Sequence, residues 1–328
     1  MRSKILAVAL TLFSLSHLAI AQNISDVAAQ TLESKELIKY GDMEQWLTRK
    51  VEESGIIGGA EKTVYEIATH IDMEPNTPYI PTDSPWATSS VFADVMGVKK
   101  GSITVFSDKR GNDGTAALLE TRIETVKVLG LINISVLATG TIYLGQTYEP
   151  VRDTKNPQSK LLTGIPFTKR PKAMEFDYKV DPADVRLYAP GFGRNKELEG
   201  KNAAEAVVIL QRRWEDSMGN IYAHRVATGW DRFDKKVDDW QNNYRIDLLY
   251  GNITSRNDFE EFKGLLENDM QTFTKNSKGE VVPVYEIGWD DENSEPTHII
   301  IRFSSSYGGA YVGSVGSKFW IDNVSLIY

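Results

Sequence analysis

Apolar and polar positions alternate most cleanly over 174–181, where Met174, Phe176, Tyr178 and Val180 interleave with Glu175, Asp177, Lys179 and Asp181. A period of two puts the first set on one face of a strand and the charged set on the other. Shorter runs rich in β-branched and aromatic residues recur at 102–106, 115–123, 204–211, 245–250, 281–287, 298–303 and 318–327. Turn chemistry separates them, as in Lys109-Arg110-Gly111-Asn112-Asp113-Gly114, Pro190-Gly191-Phe192-Gly193 and Tyr307-Gly308-Gly309. Many short strands divided by turns predict an all-β sandwich, not alternating strands and helices. One segment departs from this rhythm. Phe259, Phe262, Leu266, Met270 and Phe273 recur at nearly helical spacing behind Asn257 and Glu260, which resemble a capping box, so a single inserted helix is predicted over 257–272. In the last run Phe319 and Ile321 share a face while Val324 and Leu326 continue in the opposite phase, which predicts a β-bulge at Asp322-Asn323.

The start of the chain has a different character. Arg2 and Lys4 precede the mostly apolar run 5–13, and Ala19-Ile20-Ala21 offers a small-x-small cleavage site, so residues 1–21 read as a secretory signal peptide. The run is too short to span a bilayer, and no other stretch is long and apolar enough to do so. Residues 22–35 read as a polar leader and 36–328 as the folded domain. With no cysteine in the chain, disulfides, thiolate metal sites and a lipid-modified cysteine anchor are all excluded. The expected location is therefore periplasmic or extracellular and not lipid-anchored. The net charge is −8, and loss of Arg2 and Lys4 with the signal makes the remainder more acidic still. That balance argues against nucleic acid or anionic lipid as a partner and leaves neutral saccharides compatible.

The two ends of the domain carry a further pattern. Tyr40-Gly41-Asp42-Met43-Glu44-Gln45-Trp46 opens it, and the run from Gly313 to Leu326, containing Phe319-Trp320-Ile321-Asp322-Asn323-Val324, closes it. Between them stand Pro85-Trp86-Ala87-Thr88, the stretch Gly164-Ile165-Pro166-Phe167-Thr168-Lys169-Arg170-Pro171 leading into Phe176-Asp177-Tyr178-Lys179, and Phe303-Ser304-Ser305-Ser306-Tyr307. In this order the motifs resemble the putative carbohydrate metabolism domain family of exported bacterial proteins, over roughly residues 36–328. The resemblance implies a jelly-roll β-sandwich like that of carbohydrate-binding modules, with 41–44 and 321–323 as neighbours. It also implies a carbohydrate role, sometimes labelled as glycoside hydrolysis, but no established catalytic residue. By the same resemblance Glu44 and Asp322 would offer carboxylates to a structural calcium ion shared by the first and last strands. The residues themselves leave another reading open, in which Asp322 caps the bulge and Glu44 pairs with a nearby cation.

Sugar recognition needs flat apolar faces for ring C–H groups and planar hydrogen-bonding groups for hydroxyls. Trp46, Trp86, Arg170, Tyr178 and Lys179 supply that mixture, with Ser304 and Ser305 as rim donors. Set against this is a structural role for each: Trp46 and Tyr178 as core aromatics, and Arg170 as a fastener of loop carbonyls. Trp214, Trp230, Trp240 and Trp289 stand beside charged residues and read as rim platforms or amphipathic sandwich residues. A hydrolase would place two carboxyls roughly 5 to 9.5 Å apart. Glu175 and Asp177 share a strand face with Cα atoms roughly 6.5 Å apart and are the catalytic candidates, although any Glu-x-Asp on a strand gives that spacing. Three roles follow for the domain: glycan capture by an exported binding protein, glycoside hydrolysis by two cleft carboxylates, or a surface and assembly component binding another protein. None requires a cofactor, and the structural calcium ion is only what the resemblance implies.

Overall fold

The alternation over 174–181 becomes the strand Ala173–Asp181, with Met174, Phe176, Tyr178 and Val180 all buried in the main core. The computed structural model describes residues 33–128, 132–153, 155–191 and 194–328. The expected signal peptide, most of the leader, and Phe192-Gly193 of one predicted turn lie outside them. Ala173–Asp181 belongs to an antiparallel sheet in the order Val237–Asp247, Ala173–Asp181, Lys318–Ile327, Gly114–Glu120, Val105–Arg110. The final strand thus lies in the middle of the sheet. Residues 36–41 run beside it: the Ile38 N–H donates to the Val324 carbonyl at 3.0 Å and the Val324 N–H to the Gly41 carbonyl at 2.8 Å. The approach leaves no room for a side chain at Gly41, since a Cβ there would stand 2.5 Å from the Val324 oxygen. The predicted bulge is present, the pairing shifting register between Glu175 and Asp177, with Asn323 in a left-handed conformation at φ 52°.

The second layer is a larger sheet centred on Ala204–Glu215, which pairs with Ile221–Phe233 on one side and His298–Ser304 on the other. Beyond Ile221–Phe233 the sheet continues through Val281–Trp289, Phe273–Lys275, Leu161–Thr163 and Thr141–Thr147. Thr141–Thr147 also pairs with His298–Ser304, so the sheet closes on itself in a barrel-like manner. Ala204, Ala206, Val208 and Leu210 face the first sheet, where Phe303 meets Phe176 at a 4.9 Å ring separation and Phe233 meets Tyr178 at 4.7 Å. Each such ring buried contributes about 1.5–3 kcal/mol, which makes this layer contact the main source of stability. The architecture is the expected jelly-roll β-sandwich, and residues 36–328 form one compact unit.

The predicted helix over 257–272 is corrected. That segment holds only two single-turn 3-10 pieces, Glu261–Lys263 and Asn268–Met270. Between these two turns its backbone groups are bonded by side chains of the barrel. Arg225 donates to the carbonyl of Gly264 at 3.0 Å, and the Leu266 N–H donates to the Glu286 carboxylate at 2.6 Å. Gly264 itself is extended, with ψ −174°. The apolar spacing still has a use: Phe262, Leu266 and Met270 cover Val207, Ile209, Trp230 and Ile300 on the sheet's second face.

Candidate functional site

At the start of the Ala204–Glu215 strand, on the face turned away from the sandwich core, Glu205 lines a cavity of about 320 Å³. Cross-strand register sets Arg232, Glu205, Ser304 and Thr141 in one row over four adjacent strands, and all four line the cavity. Arg302 joins them from two positions along its strand. Glu205 is the hub of this floor. Its Oε1 accepts from Arg302 Nη2 at 2.8 Å, and its Oε2 accepts from Trp230 Nε1 at 3.1 Å and lies 3.5 Å from Arg232 Nε. The Ser304 and Thr141 hydroxyls are 3.0 Å apart. The walls are apolar and come from smaller elements: Val91 and Val98 from the hairpin Val91–Val95 with Val98–Ser102, and Val126, Ile134 and Val136 from Arg122–Val128 with Ile132–Ala138. Lys100, which is 3.3 Å from Glu124, adds charge on one wall. A hollow with hydrocarbon walls and a fixed polar floor is the usual form of a small-molecule site.

The sequence-predicted residues are not brought together there, Ser304 excepted. Trp86 is fully buried in the main core and its Nε1 donates to the Lys39 carbonyl at 3.0 Å, so it offers no face to a ligand. Tyr178 is likewise in the core, among Phe176, Phe233, Tyr244 and Phe319. Trp46 is half-buried, donating to the Met43 carbonyl at 2.7 Å and meeting Tyr65 edge-on. Arg170 fastens a loop by donating to the carbonyls of Glu292 and Ser294, and stacks on Tyr250 at 4.2 Å. Ser305 is buried against Thr121 and the Gly140 carbonyl. Lys179 stands on the outer face of the first sheet between the rings of Trp320 (4.7 Å) and Trp240 (5.3 Å). For Trp86, Tyr178 and Arg170 the cause is the same: composition shows an aromatic or a cation, and only tertiary packing shows which side it faces.

The carboxylates named from sequence also have structural partners. Asp177 accepts from the Asn243 N–H at 2.7 Å, Arg110 Nη2 at 2.7 Å and Asn323 Nδ2 at 2.8 Å. Burial works to raise its pKa, but these donors outweigh burial and hold it below the usual range. Glu175 lies 3.8 Å from Arg245. Asp322 is bonded by Arg110 and by the Asn323 N–H, and burial pushes its pKa up to about 6 against the pull of Arg110. Glu44 instead accepts from the Thr115 N–H at 3.0 Å. Glu44 and Asp322 are thus each taken up by donors of the protein, Asp322 in the manner of the alternative reading in which it caps the bulge. The cation beside Asp322 is the Arg110 guanidinium, held at 4.2 Å over Trp240, and among the described residues no group of three or more His, Asp or Glu is placed to hold a metal.

A family model described as a putative carbohydrate metabolism domain matches residues 60–327. The chain belongs to this family. Among solved structures, the domain is similar to a putative glycoside hydrolase from Bacteroides thetaiotaomicron VPI-5482, with TM-score 0.45, 18% identity, and 83% of this chain and 76% of that one covered. It is also similar to a putative glycoside hydrolase from Bacteroides vulgatus ATCC 8482, with TM-score 0.39, 15% identity, and coverage of 68% and 76%. A carbohydrate-binding module specific for non-crystalline cellulose matches at TM-score 0.27 and 12% identity over 75% of this chain and 89% of that one. No curated protein matches.

In this member of the putative carbohydrate metabolism domain family, the cavity residues were the ones least visible in sequence. Glu205, Arg232 and Arg302 each sit in an apolar strand, and a charge inside such a strand is the only local sign that it faces a lined hollow. Their convergence depends on register between strands almost 100 residues apart. Among the described residues no helix is long and apolar enough to cross a membrane.

Proposed function

We propose that this protein is an exported carbohydrate-binding protein, serving glycan capture or degradation outside the cytoplasm, and that the cavity above Glu205 is its sugar site. The observation that carries this reading is the pairing of hydrocarbon walls with the fixed row Arg232, Glu205, Ser304 and Thr141 in a domain of a carbohydrate family. A pyranose ring presents C–H faces and hydroxyl edges, and those two surfaces match walls and floor respectively. Export rests on the signal-like residues 1–21.

Capture is favoured over hydrolysis. Glycoside cleavage needs two carboxyls that reach the scissile bond. Both oxygens of Glu205 are already engaged by Arg302, Trp230 and Arg232. Glu175 and Asp177 lie on the other sheet, and Asp177 is committed to Arg110, Asn243 and Asn323. The test is a glycan array followed by titration calorimetry on the hits, with reducing-end release measured in parallel. The expected result is saturable binding without turnover, lost in Ala93→Trp, which adds bulk to the cavity lining. Turnover of a bound glycan would replace capture by hydrolysis. Failure to bind any glycan, with a specific protein copurifying instead, would replace the carbohydrate role altogether.

A further inference from the structure

Arg232 is held unlike any other cation of the cavity. Its guanidinium lies between two aromatic rings, 4.1 Å from the centre of Phe262 and 4.0 Å from that of Tyr307. Tyr307 is fixed in turn, its hydroxyl donating to the Lys201 carbonyl at 3.1 Å and its ring also packing on Arg186 at 4.2 Å. The Nε edge of Arg232 is sealed and faces Glu205. Its two Nη atoms are not sealed, and among the described residues they make no hydrogen bond to the protein. Arg302, by contrast, gives an Nη to Glu205.

The arrangement has a chemical meaning. Rings on both faces strip water from the guanidinium plane and leave only in-plane directions for hydrogen bonding. The clamp also removes rotamer freedom beforehand, so little is lost when a ligand binds. A planar fork with two free nitrogens matches a carboxylate or sulfate bidentately. The floor carries two guanidiniums against one carboxylate, and on the walls Lys100 and Lys160 balance Glu124 and Asp153, so the cavity has an excess of one positive charge where an ion pair is screened less than in water.

We infer that the cavity takes an acidic sugar, whose carboxylate or sulfate ester is received by the open fork of Arg232. This rests on the carbohydrate reading of the same cavity and narrows it from glycans in general to uronates or sulfated sugars. The chain's net charge of −8 disfavours indiscriminate polyanion binding, so the interaction should saturate at one site.

The experiment is titration calorimetry of the whole protein against matched pairs of oligosaccharides. Galacturonate oligomers are compared with their methyl esters, and sulfated galactan oligomers with the same chains after desulfation. The expected result is that at least one acidic member binds at least tenfold tighter than its neutral match, and which pair does so names the uronate or the sulfate. Arg232→Gln should erase the difference while the protein still melts cooperatively. Arg232→Lys should restore only part of it, because an ammonium cannot present a fork. Equal affinity for charged and neutral members, or a preference that survives Arg232→Gln, overturns the acidic-sugar inference and leaves the carbohydrate reading standing. If no member of either set binds and none of a wider neutral panel does, both fall together.

Discussion

Replacing Glu286 by Gln should destabilise the domain by about 3–5 kcal/mol, and the reason can be followed atom by atom. Both Glu286 and Arg225 side chains are completely buried. Glu286 Oε1 accepts from Arg225 Nε and from Gln211 Nε2, both at 2.7 Å; Oε2 accepts from Arg225 Nη2 at 2.5 Å and from the Leu266 N–H at 2.6 Å. Four donors use the four acceptor positions of a carboxylate. A glutamine keeps the shape and supplies one acceptor oxygen, so its amide N–H₂ must face a pair of donors. Gln211 cannot relieve the conflict by turning over, because its Oε1 already accepts from Arg213 Nε at 2.8 Å. Two hydrogen bonds to a charged group are lost, at about 1.5–3 kcal/mol each, and Arg225 is left with an unbalanced buried charge.

Urea unfolding at pH 7 followed by tryptophan fluorescence gives the global loss. Hydrogen exchange gives the local one, which should concentrate at Lys263 to Leu266, whose backbone this pair holds. Burial alone would raise the Glu286 pKa, but Arg225 and the other donors prevail and lower it. A carboxylate with a lowered folded pKa contributes stability that is present above its unfolded pKa and lost as pH falls through the folded one. The wild type should therefore lose stability on acidification below the ordinary carboxylate range, and the variant should lose less. A penalty under about 1 kcal/mol, or unchanged exchange over 263–266, would refute the claim that this pair pins the segment.

Adding a chelator should leave the melting temperature unchanged, since Asp322 already has Arg110 and Glu44 has Thr115; a fall reversed by calcium would show an ion at the seam. Arg110→Met should cost about 2–3 kcal/mol at pH 8, at the low side for a buried pair because Arg110 is partly exposed. Asp322, with its folded pKa raised to about 6, favours the fold in its protonated form, so stability falls as pH rises through about 4 to 6. Losing Arg110 should steepen that fall, and urea curves at pH 5 and 8 with the same penalty would contradict it. Trp86→Ala should cost about 3–5 kcal/mol in thermal or urea unfolding, as a core cavity does, while Trp86→Phe should bind glycan like the wild type. Selective loss of glycan affinity in Trp86→Phe would return that residue to the binding surface.

Much of the sandwich was legible because its signals are local. Alternation over 174–180 names a strand face directly, and the phase change after Ile321 names a bulge. The resemblance of the two ends to a family placed 41–44 beside 321–323, and the pairing found joins Ile38 and Gly41 to Val324. The segment over 257–272 misled because its apolar spacing serves a real purpose, covering Trp230 and Ile300, without a continuous ladder of α-helical hydrogen bonds. Spacing reports which residues share a surface, and here Arg225 and Glu286 decide how the backbone reaches it. The residues of the proposed site were hidden for a different reason. Trp86 and Trp240 look alike as letters, but one is sealed in the core and the other shares Lys179 with Trp320. Arg232 acquires its meaning only from Phe262 and Tyr307, distant residues that sequence alone does not set beside it.

The middle position of Lys318–Ile327 bears on how the molecule is made. A ribosome delivers this strand after both of its neighbours, yet Ala173–Asp181 and Gly114–Glu120 can be joined only through it. Until then the halves on either side present unpaired edges. Assembly of this layer therefore waits until Lys318–Ile327 is in place, and a chain cut before that strand would keep both edges open.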